Sequence, residues 1–176
     1  HPYHQGLRII GFQWSPKSHV VKEFLSGNLV PYLWMDVEND PHAEEYLLST
    51  GVSKSELPVV ILKDGTVMAD PSLRDLAAGV GLKQQASEKM YDIVIIGAGP
   101  AGLAASVYGS TEGLKTLLIE RSNPGGQASS SSRIENYLGF PMGLSGAELT
   151  RRAITQTIRF GTEILTPQEV KNIRNV

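Results

Sequence analysis

Short apolar runs alternate with amphipathic stretches along most of the chain, and this alternation is typical of an α/β protein. In the first half, Ser15-Pro16 and Asp40-Pro41 each place a capping residue before a proline at the first helical position, which marks a helix start. Asp64-Gly65 has the composition of a hairpin turn. The pattern predicts strands at residues 7–12, 31–37, 57–62 and 66–68. It predicts helices at residues 15–26, 40–50 and 72–81, which alternate with the first three strands and follow the last.

The second half begins with a run of branched apolar residues, as expected for a buried parallel strand. The pattern of this half predicts strands at residues 93–96, 116–119 and 162–165, with helices between them at residues 101–110 and 145–160. Ser145 and Glu148 have the spacing of a capping box at the start of the second of these helices. Residues 121–146 lack periodicity, and a loop of this length inside a compact domain is usually functional.

A glycine-rich segment joins the strand at 93–96 to the helix that follows it. Gly97, Gly99 and Gly102 have the spacing G-x-G-x-x-G, and Glu120 ends the next strand. The first glycine permits a tight turn, the second lets a pyrophosphate approach the backbone, and the third lets the helix pack on the sheet. The helix start offers unpaired N–H groups to phosphates, and the acid can accept hydrogen bonds from a ribose. The segment therefore predicts a bound dinucleotide.

Composition narrows the range of functions. The chain has 176 residues, enough for one large or two small domains, and 41% of them are hydrophobic. A net charge of -2 argues against a nucleic-acid surface, and no apolar run is long enough to cross a membrane. The start is no signal peptide, so we expect a cytoplasmic protein. No metal-ligand spacing is present among the histidines, which we interpret as surface residues: His1, His4, His19 and His42.

The first half resembles the thioredoxin and glutaredoxin fold, whose elements follow the same order. Ser15-Pro16-Lys17-Ser18 stands where a glutaredoxin-like protein has Cys-Pro-x-Cys, and Leu57-Pro58-Val59 matches the segment that carries a cis-proline in that family. The chain contains no cysteine, so this unit cannot carry out disulfide exchange. One interpretation is a degenerate redox domain used for docking. The other, which we favour, is that Ser15 caps the helix and Ser18 lies in its first turn.

The second half resembles the FAD domain of the low-molecular-weight thioredoxin reductase family, a family of FAD-dependent oxidoreductases found in bacteria. Several motifs in register carry this resemblance, which makes it more specific than the glycine spacing alone. The matching segments are Gly97–Ala105, Glu120, Gly125–Gln127, Ile134–Tyr137, Gly139–Pro141, Leu144–Gly146 and Arg159–Gly161. The resemblance favours FAD over NAD as the occupant.

The resemblance also implies the residues that hold FAD. The glycine-rich turn would hold the pyrophosphate, Glu120 with the adjacent Arg121 the adenosine ribose, and the long loop the flavin and its linker. The expected cofactor-binding residues are Gly97, Gly99, Pro100, Ala101, Gly102, Glu120, Arg121, Gly125, Gly126, Gln127, Ser132 and Asn136. No catalytic residue and no metal ligand are expected in this chain.

Taken together, the chain is expected to be an α/β protein with a thioredoxin-like domain followed by a partial Rossmann-like, doubly wound FAD-binding domain. The expected boundaries are 1–83 for the first domain, 84–89 for a linker and 90–176 for the start of the FAD domain. In the reductase family an NADPH domain with the redox cysteines interrupts the FAD domain. NAD(P)H would therefore bind outside this chain, which we interpret as a fragment of a longer enzyme.

The expected function is that of an FAD-dependent NAD(P)H oxidoreductase. Electrons would pass from NAD(P)H through the flavin to a disulfide, in a thioredoxin-like protein, or to a small-molecule acceptor. The fragment alone is expected to be inactive, with no nucleic-acid or membrane partner. The family is commonly homodimeric, so the resemblance leaves a homodimer open. The alternative is a non-catalytic docking or regulatory module with structural or sensory FAD, motivated by the missing cysteines in the first half.

Overall fold

The computed structural model describes residues 6–174. The chain divides into two compact units, His1–Gly81 and Leu82–Val176, and the division falls close to the predicted end of the first domain at residue 83. One unit contains a four-stranded sheet and the other a three-stranded sheet, each accompanied by helices. The predicted α/β class is therefore confirmed.

The first unit has the predicted order of elements. Its sheet has the order β2-β1-β3-β4, in which β1 and β2 are parallel and β3 and β4 run antiparallel to their neighbours. This mixed sheet is the arrangement expected of a thioredoxin-like unit. The elements are β1 (Leu7–Gly11), α1 (Pro16–Gly27), β2 (Tyr32–Asp36), α2 (Pro41–Thr50), β3 (Val59–Ile61), β4 (Val67–Ala69) and α3 (Leu73–Gly79).

Local sequence signals account for most of these bounds. The Asp40 side chain accepts the His42 N–H at 2.9 Å and begins α2, while Gly51, with φ +72°, ends it. At the hairpin between β3 and β4, the Leu62 N–H donates to the Thr66 carbonyl at 2.9 Å. The apolar core under the sheet includes the buried residues Ile10, Met35, Val37, Ala43, Leu47, Leu57, Val59 and Ile61.

The second unit is a βαβ arrangement with all three strands parallel, in the order β5-β6-β7. A long connection, residues 120–145, precedes α5 and contains a short 3-10 helix at Gly126–Ser130. This sheet order agrees with the partial Rossmann-like unit expected from the sequence. The elements are β5 (Ile93–Ile96), α4 (Pro100–Thr111), β6 (Thr116–Ile119), α5 (Gly146–Arg159) and β7 (Glu163–Leu165).

The segment before β5, which the sequence marks as a linker, is hydrogen-bonded to the second unit. The Thr166 N–H donates to the Lys83 carbonyl at 3.1 Å, and the Gln168 side-chain amide donates to the Gln84 carbonyl at 2.8 Å. These bonds lie just beyond the carboxyl end of β7. The segment is therefore part of this unit, although its polar composition resembles that of a free connector.

Glu163 holds the same segment at the start of β7. Its Oε1 accepts the Ser87 N–H at 2.9 Å and the Ser87 hydroxyl at 2.8 Å, and its Oε2 accepts the Tyr91 hydroxyl at 2.6 Å. Lys83 Nζ lies 3.4 Å from Oε1, and only 10% of the Glu163 side chain is exposed. Burial acts to raise the pKa of the Glu163 carboxyl, but the hydrogen bonds from Tyr91 and Ser87 outweigh it and hold the pKa below its usual value.

We expect Glu163→Gln to lower the free energy of unfolding at pH 7 by about 1–3 kcal/mol, because hydrogen bonds to a charged acceptor are lost. The folded-state pKa lies below the ordinary value of 4.5, so the stabilisation is complete above that pH and disappears as pH falls through the lowered pKa. Urea denaturation at pH 7 and at acid pH measures both effects. The exposed Glu169→Gln is the control. Equal stability of the Glu163 variant and the wild type at pH 7 would contradict this account.

Candidate functional site

The glycine-rich segment forms a tight turn between β5 and α4. Gly97 has φ +93° and donates its N–H to the Ile119 carbonyl at 2.8 Å, so the turn requires a residue that tolerates a left-handed backbone. A Cβ placed on Gly102 would lie 2.0 Å from the Gly97 carbonyl oxygen. The helix can therefore pack this closely on the turn only because Gly102 has no side chain.

Open space lies in front of the first turn of α4. Apart from Gly99 itself and its chain neighbours, no heavy atom lies within 4 Å of a Cβ placed on Gly99, the N-cap residue of this helix of 12 residues. Pro100 occupies the first helical position and Ala101 is exposed. The N–H groups of a first helical turn have no acceptor inside the helix, and the helix dipole is positive at this end. This space suits an anionic group.

Glu120 accepts one main-chain hydrogen bond from the glycine-rich turn and one from the start of the long loop. Its Oε2 accepts the Ala98 N–H at 2.8 Å, and its Oε1 accepts the Ser122 N–H at 2.9 Å. The carboxylate is half-buried and retains lone pairs for further donors. The sequence predicted an acid at this strand end but did not reveal that it also stabilises the glycine-rich turn. Arg121, the next residue, is exposed.

The long loop packs directly on the turn. The Gly125 N–H donates to the Ala98 carbonyl at 2.7 Å, and a Cβ placed on Gly126 would lie 3.5 Å from the Gly99 Cα. Gly125 is buried with φ +111°, and a Cβ there would lie 2.9 Å from the Thr150 Cβ on α5. The two glycine motifs, predicted separately from the sequence, therefore meet at one place.

The 3-10 helix that follows rests on the start of α5. A Cβ placed on Gly146 would lie 1.7 Å from the Ala128 carbonyl oxygen, and the Gly146 N–H donates to the Ser131 carbonyl at 2.8 Å. These contacts leave no room for a side chain at position 146. Because α5 also contacts Gly125, it supports both ends of the short helix.

The polar side chains predicted to contact the flavin are distributed along the loop. Gln127 lies in the 3-10 helix, Ser132 follows it, and Asn136 lies between Ile134 and Leu144, which pair as an isolated antiparallel bridge. All three polar side chains are exposed. The structure therefore brings together the main chain of the two glycine motifs and leaves these three side chains open to solvent.

Charged residues on α5 surround its first turn. The Ser145 hydroxyl accepts the Glu148 N–H at 3.2 Å, so the serine half of the predicted capping box forms. The Glu148 carboxylate pairs with Arg151 at 2.9 Å and with Arg152 at 2.6 Å instead of returning to the cap residue. Hydrogen bonds from Arg151 and then Arg152 lower the pKa of Glu148 to about 2, so the carboxylate and its two ion pairs persist well below neutral pH. Sequence reasoning did not identify this ion-pair group.

The serine motif of the first unit forms a second, separate candidate. Ser15 occupies the N-cap position of α1, but its side chain makes no capping hydrogen bond, so the expected hydroxyl cap is wrong. Pro16 has no N–H and presets the helical φ, which reduces the need for a cap. Ser18 is fully buried with its hydroxyl unpaired, 2.6 Å from a Cβ placed on Gly11. The Leu57-Pro58 peptide bond is cis, as the resemblance implies.

Within residues 6–174, which the structure describes, no cluster of three or more acidic or histidine side chains could bind a metal ion. His19 and His42 lie beside Glu23 and Glu45 at the surface. His1 and His4 lie outside the described residues. Within the same described range, no helix is long and apolar enough to cross a membrane.

Comparison with known proteins finds one family model and several relatives that each match part of the chain. A family model for FAD-dependent oxidoreductases matches residues 92–159. Thioredoxin reductase of Bacillus subtilis (strain 168) is 49% identical over 76 residues, which are 43% of this chain and 24% of that protein. Thioredoxin reductase of Listeria monocytogenes serovar 1/2a (strain ATCC BAA-679 / EGD-e) is 46% identical over 76 residues, which again are 43% of this chain and 24% of that protein.

Among solved structures, the crystal structure of Lactococcus lactis thioredoxin reductase shares 43% identity over 43% of this chain and 24% of its own, with a TM-score of 0.41. The chain thus spans 24% of the length of these curated relatives. Residues 92–159 are thus similar to FAD-dependent oxidoreductases, and the curated relatives named above are thioredoxin reductases.

Proposed function

We propose that residues 90–176 form the beginning of the FAD-binding domain of an NAD(P)H-dependent oxidoreductase. The observation that carries this proposal is the absence of neighbouring atoms around a Cβ placed on Gly99, the N-cap residue of α4, with Gly126 of the second glycine motif packed beside the Gly99 Cα. A phosphate group in that space would meet main-chain N–H groups and the positive end of the helix dipole. The residues present therefore fit a dinucleotide.

The proposed contacts with FAD divide between the two glycine motifs. The turn and the start of α4 hold the pyrophosphate. The carboxylate of Glu120 accepts hydrogen bonds from the adenosine ribose, and the exposed Arg121, which follows Glu120 in the sequence, assists at the same ribose. The long loop holds the flavin and its linker. The proposed FAD-binding residues are Gly97, Gly99, Pro100, Ala101, Gly102, Glu120, Arg121, Gly125, Gly126, Gln127, Ser132 and Asn136.

When bound, FAD supplies the chemistry of hydride and electron transfer between NAD(P)H and an acceptor. The residues of this chain bind and orient it, and the turn that Glu120 and Gly125 support keeps the backbone N–H groups in place. NAD(P)H binds to a part of the enzyme outside this chain. The acceptor is a disulfide, in a thioredoxin-like protein, or a small molecule. Such an enzyme would work in the cytoplasm, where its pyridine nucleotide is supplied, and would assemble as a homodimer.

We propose that the first unit, residues 1–83, is a thioredoxin-like domain without redox function of its own. The chain contains no cysteine, and a serine hydroxyl cannot replace a thiolate in disulfide exchange. The buried Ser18 hydroxyl beside Gly11 is also closed to solvent. Any disulfide chemistry of the enzyme therefore belongs to residues outside this chain.

The visible absorption spectrum of the purified, desalted chain tests FAD binding. We expect the two-banded spectrum of oxidised flavin, either directly or after incubation with FAD and gel filtration, and release of FAD on denaturation. Anaerobic NADPH should leave the spectrum unchanged, because the proposed hydride-donor site lies outside the chain. Protein that stays colourless after incubation with FAD would contradict binding by this fragment.

Two glycine substitutions test separately whether the turn needs close helix packing for stability and whether it binds the phosphates of FAD. Gly102→Ala should destabilise the fold by about 1–3 kcal/mol, because its Cβ would collide with the Gly97 carbonyl. Gly99→Ala should change stability by less than about 0.5 kcal/mol, since nothing lies within 4 Å of the new methyl group. It should nevertheless weaken FAD binding by roughly tenfold, as expected when one charge-assisted hydrogen bond is obstructed.

Thermal unfolding and FAD titration of the two variants measure these effects. Gly6→Ala, also in open space but in the first unit, is the matched control and should change neither quantity. Normal FAD affinity in folded Gly99→Ala would contradict the placement of the pyrophosphate at this turn.

A further inference from the structure

The segment 134–144, here called the flavin-loop hairpin, is closed by a pair of main-chain hydrogen bonds. At its base, the Ile134 N–H donates to the Leu144 carbonyl at 2.7 Å, and the Leu144 N–H donates to the Ile134 carbonyl at 3.0 Å. Its tip carries large apolar side chains in solvent, with Leu138 96% and Met142 82% exposed. Such a loop loses conformational freedom whenever a ligand requires it to hold one geometry.

One cation on α5 contacts the ring at the centre of this hairpin. The Arg152 guanidinium carbon lies 5.6 Å from the centroid of the half-buried Phe140 ring, within the range of a cation–π interaction. The Phe140 ring in turn lies 6.2 Å from the Tyr137 ring, and Tyr137 lines a groove of about 340 Å³ with residues of α4 and α5. Arg152 therefore connects the tip of the hairpin to the helical framework.

Arg152 is itself held in place by Glu148. The Arg152 Nε donates to the Glu148 Oε1 at 2.6 Å, and the N–H of Glu148 is fixed by the Ser145 hydroxyl at the start of α5. Hydrogen bonds from its arginine partners lower the pKa of Glu148 to about 2, so the carboxylate stays ionised well into the acid range. The orientation of the guanidinium is thus determined by α5, independently of the hairpin.

We propose that Arg152 is a positioning residue for flavin binding: its contact with Phe140 holds the flavin-loop hairpin in the conformation from which Asn136 binds the flavin. This inference rests on the proposed function, because it assigns to the hairpin the flavin half of FAD. Arg152 touches neither half of the cofactor and acts by reducing the conformational freedom that the hairpin loses on binding.

The neighbouring Arg151 offers a matched control. It also pairs with Glu148, through Nε to Oε2 and through Nη2 to Oε1, both at 2.9 Å. The side chains of the two arginines are similarly exposed, 58% for Arg151 and 57% for Arg152. In the described residues, Arg152 has the contact with Phe140 and Arg151 has no aromatic ring contact. A comparison of the two therefore separates the ring contact from the ion pair.

The experiment compares FAD and ADP binding to the wild type, Arg152→Ala and Arg151→Ala by titration calorimetry of the whole chain. An exposed cation–π contact corresponds to about a two- to fivefold change in a binding constant, so Arg152→Ala should weaken FAD by that factor. ADP should bind all three proteins equally, because it lacks the flavin half. Arg151→Ala should bind FAD as the wild type does.

Two further variants test whether the ring contact is responsible. Arg152→Lys keeps a cation over Phe140 and should recover part of the FAD affinity. Phe140→Leu should weaken FAD by a similar factor, and combining it with Arg152→Ala should add little, because both remove the same contact. Additive losses in the double variant would overturn the proposed role of the ring.

A readout without ligand separates this inference from the proposed function. Amide hydrogen exchange in residues 135–143 should be faster in Arg152→Ala than in Arg151→Ala, whether or not FAD is added. Equal exchange in the two variants, or an equal loss of FAD and ADP affinity in Arg152→Ala, would overturn the positioning role. Absence of FAD binding in the wild type, with the exchange difference present, would instead overturn the proposed function and leave Arg152 as a support of the hairpin alone.

Discussion

The candidate site depends on the two main-chain hydrogen bonds of Ala98. Its N–H donates to the Glu120 carboxylate at 2.8 Å, and its carbonyl accepts the Gly125 N–H at 2.7 Å. The side chain of Ala98 is also fully buried, so its N–H, its carbonyl and its methyl group are all in contact with the surrounding protein. One residue in the middle of the glycine-rich turn thus joins the end of β6 and the long loop to the start of α4. The hydrogen bonds of Ala98 therefore hold the end of β6, the long loop and the start of α4 to one another.

This arrangement explains how a site for a charged cofactor can be built largely from backbone. A pyrophosphate requires several N–H groups that converge on one point, and loops provide that only when they are held rigidly. Gly102 lets α4 pack close to the turn, Gly146 lets α5 pack close to the 3-10 helix, and Glu120 accepts the Ala98 N–H of the turn. Side chains are exposed farther along the long loop, where Arg152 of α5 contacts the ring of Phe140.

The sequence predicted the elements and the glycine turn because their causes are local. A capping residue before proline, an αL glycine after a helix and an apolar run of strand length all act within a few residues, so α2 and β5 lie where the pattern indicated. The interactions that the pattern missed join residues distant in sequence. Glu163 and Ser87 are 76 positions apart, and no periodicity in a polar segment reveals that pair. The same holds for Thr150, whose contact requires a glycine at position 125.

The most direct test of the account is an amide NMR comparison of the labelled chain with ADP and with FAD. We predict that ADP shifts the resonances of Gly99, Ala101 and Gly102 and those around Arg121, while FAD shifts these and also Gln127, Ser132 and Asn136. That result would show that one ligand spans both glycine motifs in the predicted order. Shifts confined to the first unit, or the same small set of shifts with both ligands, would contradict the central claim that the turn and the long loop form one FAD-binding site.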